Sequence, residues 1–226
     1  MTINKIITHS GTFHADEILS VAFLRVLGFT APVERTYTPT PEQLADPSTF
    51  VLDIGRQYAP ELGNFDHHQD RELVATNLLL LRHFAANIPG GLRVMGELES
   101  RMFTRVSDVD RGIRVLTGTE SSLELNSIVR AFNNLAGGFD RAVFVVTEIL
   151  IAQIETAQKA IADADRWDAL ERSNGIALQL DTDAILCWKE KAKEEGILLL
   201  VCPNLRAGFS VISRDTNELI IPATDT

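Results

Sequence analysis

Cysteine is scarce in these 226 residues, occurring only as Cys187 and Cys202. Both lie among apolar neighbours, so the pair reads as buried and reduced. Neither a disulfide scaffold nor a cysteine-rich zinc knot is within reach. Long hydrophobic runs are missing as well. The most apolar stretch, around Leu78–Leu81, is far too short to cross a bilayer, and no membrane partner is expected. The opening MTINKIITH holds one lysine, no long apolar core and no small-residue cleavage site, which argues against a signal peptide and for a cytoplasmic protein. Base is also in deficit: 21 Lys and Arg stand against 31 Asp and Glu, for a formal net charge of −10. Such a surface repels nucleic acid in bulk and excludes broad electrostatic binding to duplexes. It leaves room for a phosphate held locally by metal ions, whose charge outweighs nearby carboxylates.

What is present is an ordinary globular composition, 45% hydrophobic and 23% charged, at a length that suits one large domain or two unequal ones. Lys5–Thr8 reads as a short buried strand running into the turn His9-Ser10-Gly11-Thr12. A helix follows from about His14 to Leu27, with Leu19, Ala22, Phe23, Val26 and Leu27 on one face and Gly28 as its stop. Val33–Tyr37 and Phe50–Ile54 read as further strands. Between them, Thr40-Pro41-Glu42-Gln43 has the form of a capped helix start, with a capping box and a proline at the first helical position. Strand–helix–strand–helix–strand predicts an α/β fold, a parallel sheet flanked by helices. A helix-rich middle is expected at Ala75–Ala86, Leu92–Val106, Ser122–Asn133 and Arg141–Asp165. Strands at Ile176–Leu180, Ile197–Cys202, Phe209–Ser213 and Leu219–Ile221, around a helix at Ala184–Glu195, suggest a smaller C-terminal α+β domain. The expected division is residues 1–168 and 169–226.

Four of the five histidines fall in two tight clusters interleaved with acid: THSGTFHADE (His9, His14, Asp16, Glu17) and FDHHQD (Asp66, His67, His68, Asp70). Asp53 lies between them inside the apolar strand FVLDIG. A single histidine is more often satisfied core or surface than a ligand, and a lone Asp after a strand often caps a turn. His83, with no acidic neighbour, is read as structural. Co-occurrence changes the odds. His9 and Asp53 fall at the carboxyl ends of the first and third strands, the edge where open α/β sheets bind ligands. A carboxylate in an apolar strand is costly to bury unless paired or metal-bound. Imidazole and carboxylate together suit manganese, zinc, iron or magnesium. Ser107-Asp108-Val109-Asp110-Arg111-Gly112 is weak alone but credible as a further corner of such a site.

In that order, THSGTFHADEILSVAFLR, VLDIG, FDHHQ and SDVDRGI resemble the melanocyte-proliferating-gene (Myg-type) family of metal-dependent hydrolases, itself similar to the DHH phosphoesterase superfamily. SSLELNSIVRAFN and LCWKEKAKEEGILLLVCP extend the resemblance, and the chain is shorter than typical members. The resemblance implies a DHH-phosphoesterase-like sheet domain and two divalent ions, manganese first, with magnesium, zinc or iron as alternatives. It implies that His9, His14 and Asp53 hold one ion, and that Asp16, Asp53, His67 and Asp110 hold the other, with Asp53 bridging. His68 would face the substrate phosphate as a catalytic and substrate-binding group, and Asp66 would orient an imidazole. Arg111 is a candidate phosphate contact, as are Arg105, Lys189 and Arg206, each of which could equally be a solvated surface charge. The wider superfamily usually has Asp where this chain has His14, and the glycine-rich, His-containing motif of many DHH second domains is absent.

The expected activity is hydrolysis of nucleotide phosphodiesters, 3′–5′ exonuclease-like on short RNA. The partner is then a phosphate-containing small molecule or short single strand, and a homo-oligomer is left open. The rivals are a pyrophosphatase or small-phosphoester hydrolase, and a non-catalytic metal- or nucleotide-binding module.

Overall fold

β-Branched residues give strand β1, Lys5–His9, whose Ile6 and Ile7 are fully buried. In the computed structural model, which describes residues 2–117, 122–206 and 208–215, β1 is an interior strand of a five-stranded sheet. Helix α1, Ala15–Val26, follows it, and then strand β2, Val33–Thr36. Helix α2, Pro41–Ala45, starts on the Thr40 capping box expected from its sequence, with the Gln43 amide N–H donating to Thr40 Oγ1 at 3.3 Å. Strand β3 is Thr49–Leu52. A short hairpin then adds β4, Tyr58–Ala59, and β5, Asn64–Phe65, around a 3₁₀ turn at Pro60–Leu62. The order across the sheet is β2-β1-β3-β5-β4, parallel except for β4.

α1 is buried on all sides from Ala15 to Leu24, a wider surface than the single apolar face read from its periodicity. It packs against α3, Thr76–His83, whose four leucines Leu78–Leu81 are all buried. The helix expected over Leu92–Val106 is three pieces: α4, Gly91–Leu98, a π-helical turn at Glu99–Phe103, and α5, Thr104–Asp110. A π turn lengthens the backbone hydrogen-bond step, and here buried Asn77 Nδ2 donates to the Phe103 carbonyl at 2.9 Å. α6, Leu125–Phe132, packs on α1 and α5. α7 runs from Gly138 to Asp168.

The chain divides into two compact units, Met1–Ala157 and Gln158–Thr226, so the division falls inside α7. The second unit holds β6 (Glu171–Ser173), β7 (Ile176–Leu178), α8 (Trp188–Glu194), β8 (Leu199–Pro203) and β9 (Phe209–Ser213), with sheet order β6-β7-β8-β9. Its core gathers on Trp167 with Ala177, Ile185, Ala192, Ile197 and Leu200. The strand expected at Leu219–Ile221 lies outside the described residues. Among those residues, no helix is long and apolar enough to cross a membrane.

Candidate metal centre

Three neighbouring parallel strands deliver five of the side chains. β1 ends on His9, β3 is followed by Asp53, and β5 is followed by Asp66, His67 and His68. The chain runs outward from β1 to β2 and then returns to the far side of β1 as β3, so His9 and Asp53 flank the point where strand order reverses. That crevice, at the carboxyl ends of the strands, is the usual binding site of an open α/β sheet. His14 and Asp16 join from the start of α1, and Asp110 from the last residue of α5.

Asp53 sits at the centre. Its backbone takes φ +58°, a left-handed conformation that L-residues occupy at a cost. Its N–H still donates to the Phe65 carbonyl at 2.9 Å, tying the strained residue to β5. Oδ2 lies 3.4 Å from His9 Nε2 and Oδ1 lies 3.4 Å from His67 Nε2, so one carboxylate faces two imidazoles from opposite sides. Thr76 Oγ1 donates to Oδ1 at 3.2 Å. Burial disfavours the charged carboxylate, but the His67 and His9 contacts and the positive potential of His68 prevail, and its pKa falls below the ordinary range.

The imidazoles respond in kind. Burial opposes a charge on His9, yet Asp53 and Glu17 outweigh it and push its pKa up to about 10. For His67 burial is likewise overcome, by Asp110 and Asp53, and the value rises to about 9. His67 Nε2 is 3.2 Å from Asp110 Oδ2, but it is aligned with neither carboxylate as a hydrogen bond. Asp16 is the extreme case. It is fully buried, and neither carboxylate oxygen meets a donor. Burial, then the charges of Asp53, Asp110 and Glu17, raise its pKa well above normal. A buried anion left without a partner is strongly unfavourable.

These features fit a divalent cation. Orphaned carboxylate oxygens and an unpaired imidazole nitrogen point into one small region, and the donors are the oxygen and nitrogen types that manganese, iron, zinc and magnesium accept. Two trios bring one ligand atom from each residue within 4.8 Å of the other two: Asp53, His67 and His68, and separately His14, Asp16 and Asp110. These groupings cut across the ligand sets that the Myg-type resemblance implies, because they leave His9 out and bring His68 in.

Asp66 serves His68. Its Oδ1 accepts from His68 Nδ1 at 2.7 Å and from the His68 N–H at 3.1 Å, and its Oδ2 accepts from the Arg56 N–H at 2.6 Å. The hydrogen bond with Asp66, opposed by burial and reinforced by Asp53, raises the His68 pKa. The His68 side chain stays half exposed at 52%. Asp70 lies apart, accepting from the Glu72 N–H as a turn residue. His83 packs edge-on against Phe65 and Phe84, in keeping with a structural role.

Of the candidate cations, Arg111 donates to the Arg71 carbonyl at 2.8 Å, and Arg105 is paired with Glu124. Lys189 lies over the Trp188 ring and Arg206 is exposed, both in the second unit. Sequence reasoning gave no role to Glu17, whose Oε2 lies 2.9 Å from His9 Nε2, although HADE put it in view. It also missed Thr76 and Arg35; Arg35 lies 3.7 Å from Glu17 and covers the Phe13 and Phe139 rings. No local signal marks either of them.

Residues 5–78 match a family model that bears the MYG1 exonuclease name and the description Uncharacterised protein family (UPF0160). Over 65 residues the chain is 46% identical to the MYG1 exonuclease of Mus musculus and 45% identical to that of Homo sapiens. Each alignment covers 29% of this chain and 17% of the relative. A MYG1 protein of Chlamydia trachomatis is 39% identical over 62 residues, 27% of this chain and 21% of that protein. The aligned segment therefore spans about a fifth of these relatives' lengths or less. Over that segment the Myg-type resemblance holds. It contains every histidine and carboxylate of the centre except Asp110, which lies beyond it with Arg111.

Proposed function

From this Myg-type segment we propose that the chain is a divalent-metal-dependent phosphodiester hydrolase of DHH type, acting nuclease-like on short single-stranded nucleic acid. The observation that carries the reading is Asp16: a fully buried carboxylate with no donor, grouped with His14 and Asp110 and facing the charges of Asp53 and Glu17. His9, His14, Asp16, Asp53, His67 and Asp110 would hold two ions, manganese first, and Asp53, whose two oxygens face different imidazoles, would serve both. Bound ions would supply Lewis acidity and an activated water.

The chain's own groups do the rest. Asp66 fixes the His68 ring through Nδ1, which leaves the half-exposed ring free to donate from Nε2 to a non-bridging phosphate oxygen as charge builds there. Glu17 lies 2.9 Å from the same His9 nitrogen, Nε2, that faces Asp53, so the two carboxylates together hold the His9 ring toward the site. Strain at Asp53 and its tie to β5 hold the shared carboxylate in place before any ligand arrives. The excess of acid favours a small or short substrate over a long duplex.

The test is manganese-dependent release of nitrophenol from bis(p-nitrophenyl) phosphate, with bound metal counted by elemental analysis. Two ions per chain are expected, with Asp53→Ala losing both the metal and the release. A single ion unaffected by Asp53→Ala contradicts the shared ligand. Hydrolysis of pyrophosphate but of no diester favours the pyrophosphatase reading.

A further inference from the structure

A cavity of about 420 Å³ adjoins the metal centre and plays no part in the chemistry above. His14 and Asp110 line both, so the two spaces are continuous. Phe13 and Val109 contribute apolar wall, and α6 contributes Asn126, Ser127 and Arg130. The placement follows from helical spacing. Asn126 and Arg130 are four residues apart and Ser127 and Arg130 three, so they share a face, while Val129 is fully buried in the core.

Two features indicate a ligand. Arg130 is exposed and its side chain pairs with no carboxylate among the described residues, whereas Arg105 is paired with Glu124 and Arg111 is bound to the Arg71 carbonyl. In a chain of net charge −10, an unpaired guanidinium beside an anion-handling site is out of character. Independently, Asn126 Oδ1 is buried and has no hydrogen-bond partner. A buried acceptor left unmade costs free energy, which a ligand N–H or O–H would recover once the amide turns toward the cavity that Asn126 lines. The volume falls within the range of about 300–1,000 Å³ typical of small-molecule sites.

We propose that this cavity is a nucleotide subsite: it takes the nucleotide next to the phosphodiester at the metal centre, with Arg130 binding that nucleotide's own phosphate. Ser127 and Asn126 contact its sugar or base, Asn126 as acceptor, and Phe13 and Val109 bound the base. The inference rests on the phosphodiesterase reading and deepens it. A guanidinium matches two phosphate oxygens at once, which makes Arg the suited residue. The wall is held in register with the metal loop by Asn133 at the end of α6. Its Oδ1 accepts from the Phe13 N–H and its Nδ2 donates to the Phe13 carbonyl, both at 3.0 Å.

The test uses non-hydrolysable dinucleotides, with a methylene in place of a bridging oxygen of the internal linkage, bearing a terminal phosphate at the 5′ end, at the 3′ end, or at neither. Affinities for the manganese-loaded full chain are measured by calorimetry. Wild type should prefer one phosphorylated form about tenfold or more, the factor expected from a charge-assisted hydrogen bond. Arg130→Gln should erase that preference and Arg130→Lys restore part of it, with metal content, melting temperature and bis(p-nitrophenyl) phosphate hydrolysis unchanged. KM for a cleavable dinucleotide of the preferred form should rise by the same factor, with kcat kept. No preference in wild type, or one that survives Arg130→Gln, overturns the subsite. If the Arg130-dependent preference is present but no diester is cleaved, the phosphodiesterase reading falls and the subsite stands as a nucleotide-binding site.

Discussion

Replacing Asp16 by Asn should make the metal-free protein more stable and the metal-loaded protein less so. The side chain is fully buried, and its carboxylate meets no donor while facing the charges of Asp53, Asp110 and Glu17. An uncompensated buried charge of this kind costs about 3–5 kcal/mol. Asn removes the charge at constant volume and can donate its amide N–H to a neighbouring carboxylate, but it keeps a carbonyl oxygen that costs about 1–3 kcal/mol if unmatched. The net gain is about 2 kcal/mol, a rise of roughly 4–8 °C in melting temperature at this chain length. With metal at a hundredfold excess over its dissociation constant, each site adds about 2.7 kcal/mol to wild type, and the variant forgoes most of that. The two melting curves should therefore exchange order when manganese is added. The pH dependence has a definite sign. Because the folded Asp16 pKa is raised, its contribution is fully present below the ordinary carboxylate range and is lost as pH climbs through the raised value. The metal-free advantage of the variant should widen over that window. The assay is differential scanning fluorimetry in EDTA and in manganese. A variant that melts below wild type in EDTA, or gains as much as wild type from manganese, refutes the reasoning.

His67→Ala should strip metal and abolish turnover, whereas His68→Ala should keep the metal and lose about 10²–10³ in kcat, as expected for one transition-state donor. Elemental analysis beside steady-state rates checks this, and the opposite pattern reverses the two roles. Metal uptake should release protons, because His9 and His67, raised to about 10 and about 9, are protonated in the metal-free protein at neutral pH. Their raised values stabilise the metal-free fold fully below the ordinary imidazole range and cease to do so above pH 9–10, so metal affinity should climb with pH across that interval. Calorimetry in two buffers of different ionisation enthalpy measures the protons, and a count of zero contradicts the ligand roles. Gly63→Ala should destabilise by about 2–4 kcal/mol, the strain of a left-handed backbone compounded by a clash. Its φ is +79° and an added Cβ would sit 2.6 Å from the Thr49 carbonyl oxygen. Denaturant unfolding reads it out, and a change under 1 kcal/mol would show that the hairpin yields.

What the sequence discloses is what depends on neighbours along the chain. The Thr40 capping box is four consecutive residues, and the alternation of strand and helix through Asp53 follows from local periodicity, so both survive in the structure. The convergence of His9 and Asp53 could be anticipated because parallel strands put their carboxyl ends at one edge. The β4–β5 hairpin could not: Tyr58–Ala59 and Asn64–Phe65 are two residues each, too short to show a period, and are held by pairing with β3 and by Gly63. Nor could the bearing of α6 on the site. Arg130 and Asn133 lie in the stretch SSLELNSIVRAFN, but nothing in its pattern says what they meet, and only tertiary packing brings them to Phe13 and His14. The partner of Asp66 was open in the same way, since adjacency to His67 suggests one imidazole and the backbone turn presents the other.

The clasp of Asn133 on Phe13 joins residues 120 positions apart. During synthesis the first histidine cluster is made well before the residue that fastens its loop, which follows Phe13 by 120 positions. At typical elongation rates of about 5–20 residues per second, that interval is several seconds or more. Through it, His9, His14 and Asp16 lie on an unfastened segment, free to bind metal loosely or to mispair. On the proposed metal reading, uptake in the final geometry would follow the arrival of α6, later than that of the strands that carry the ligands.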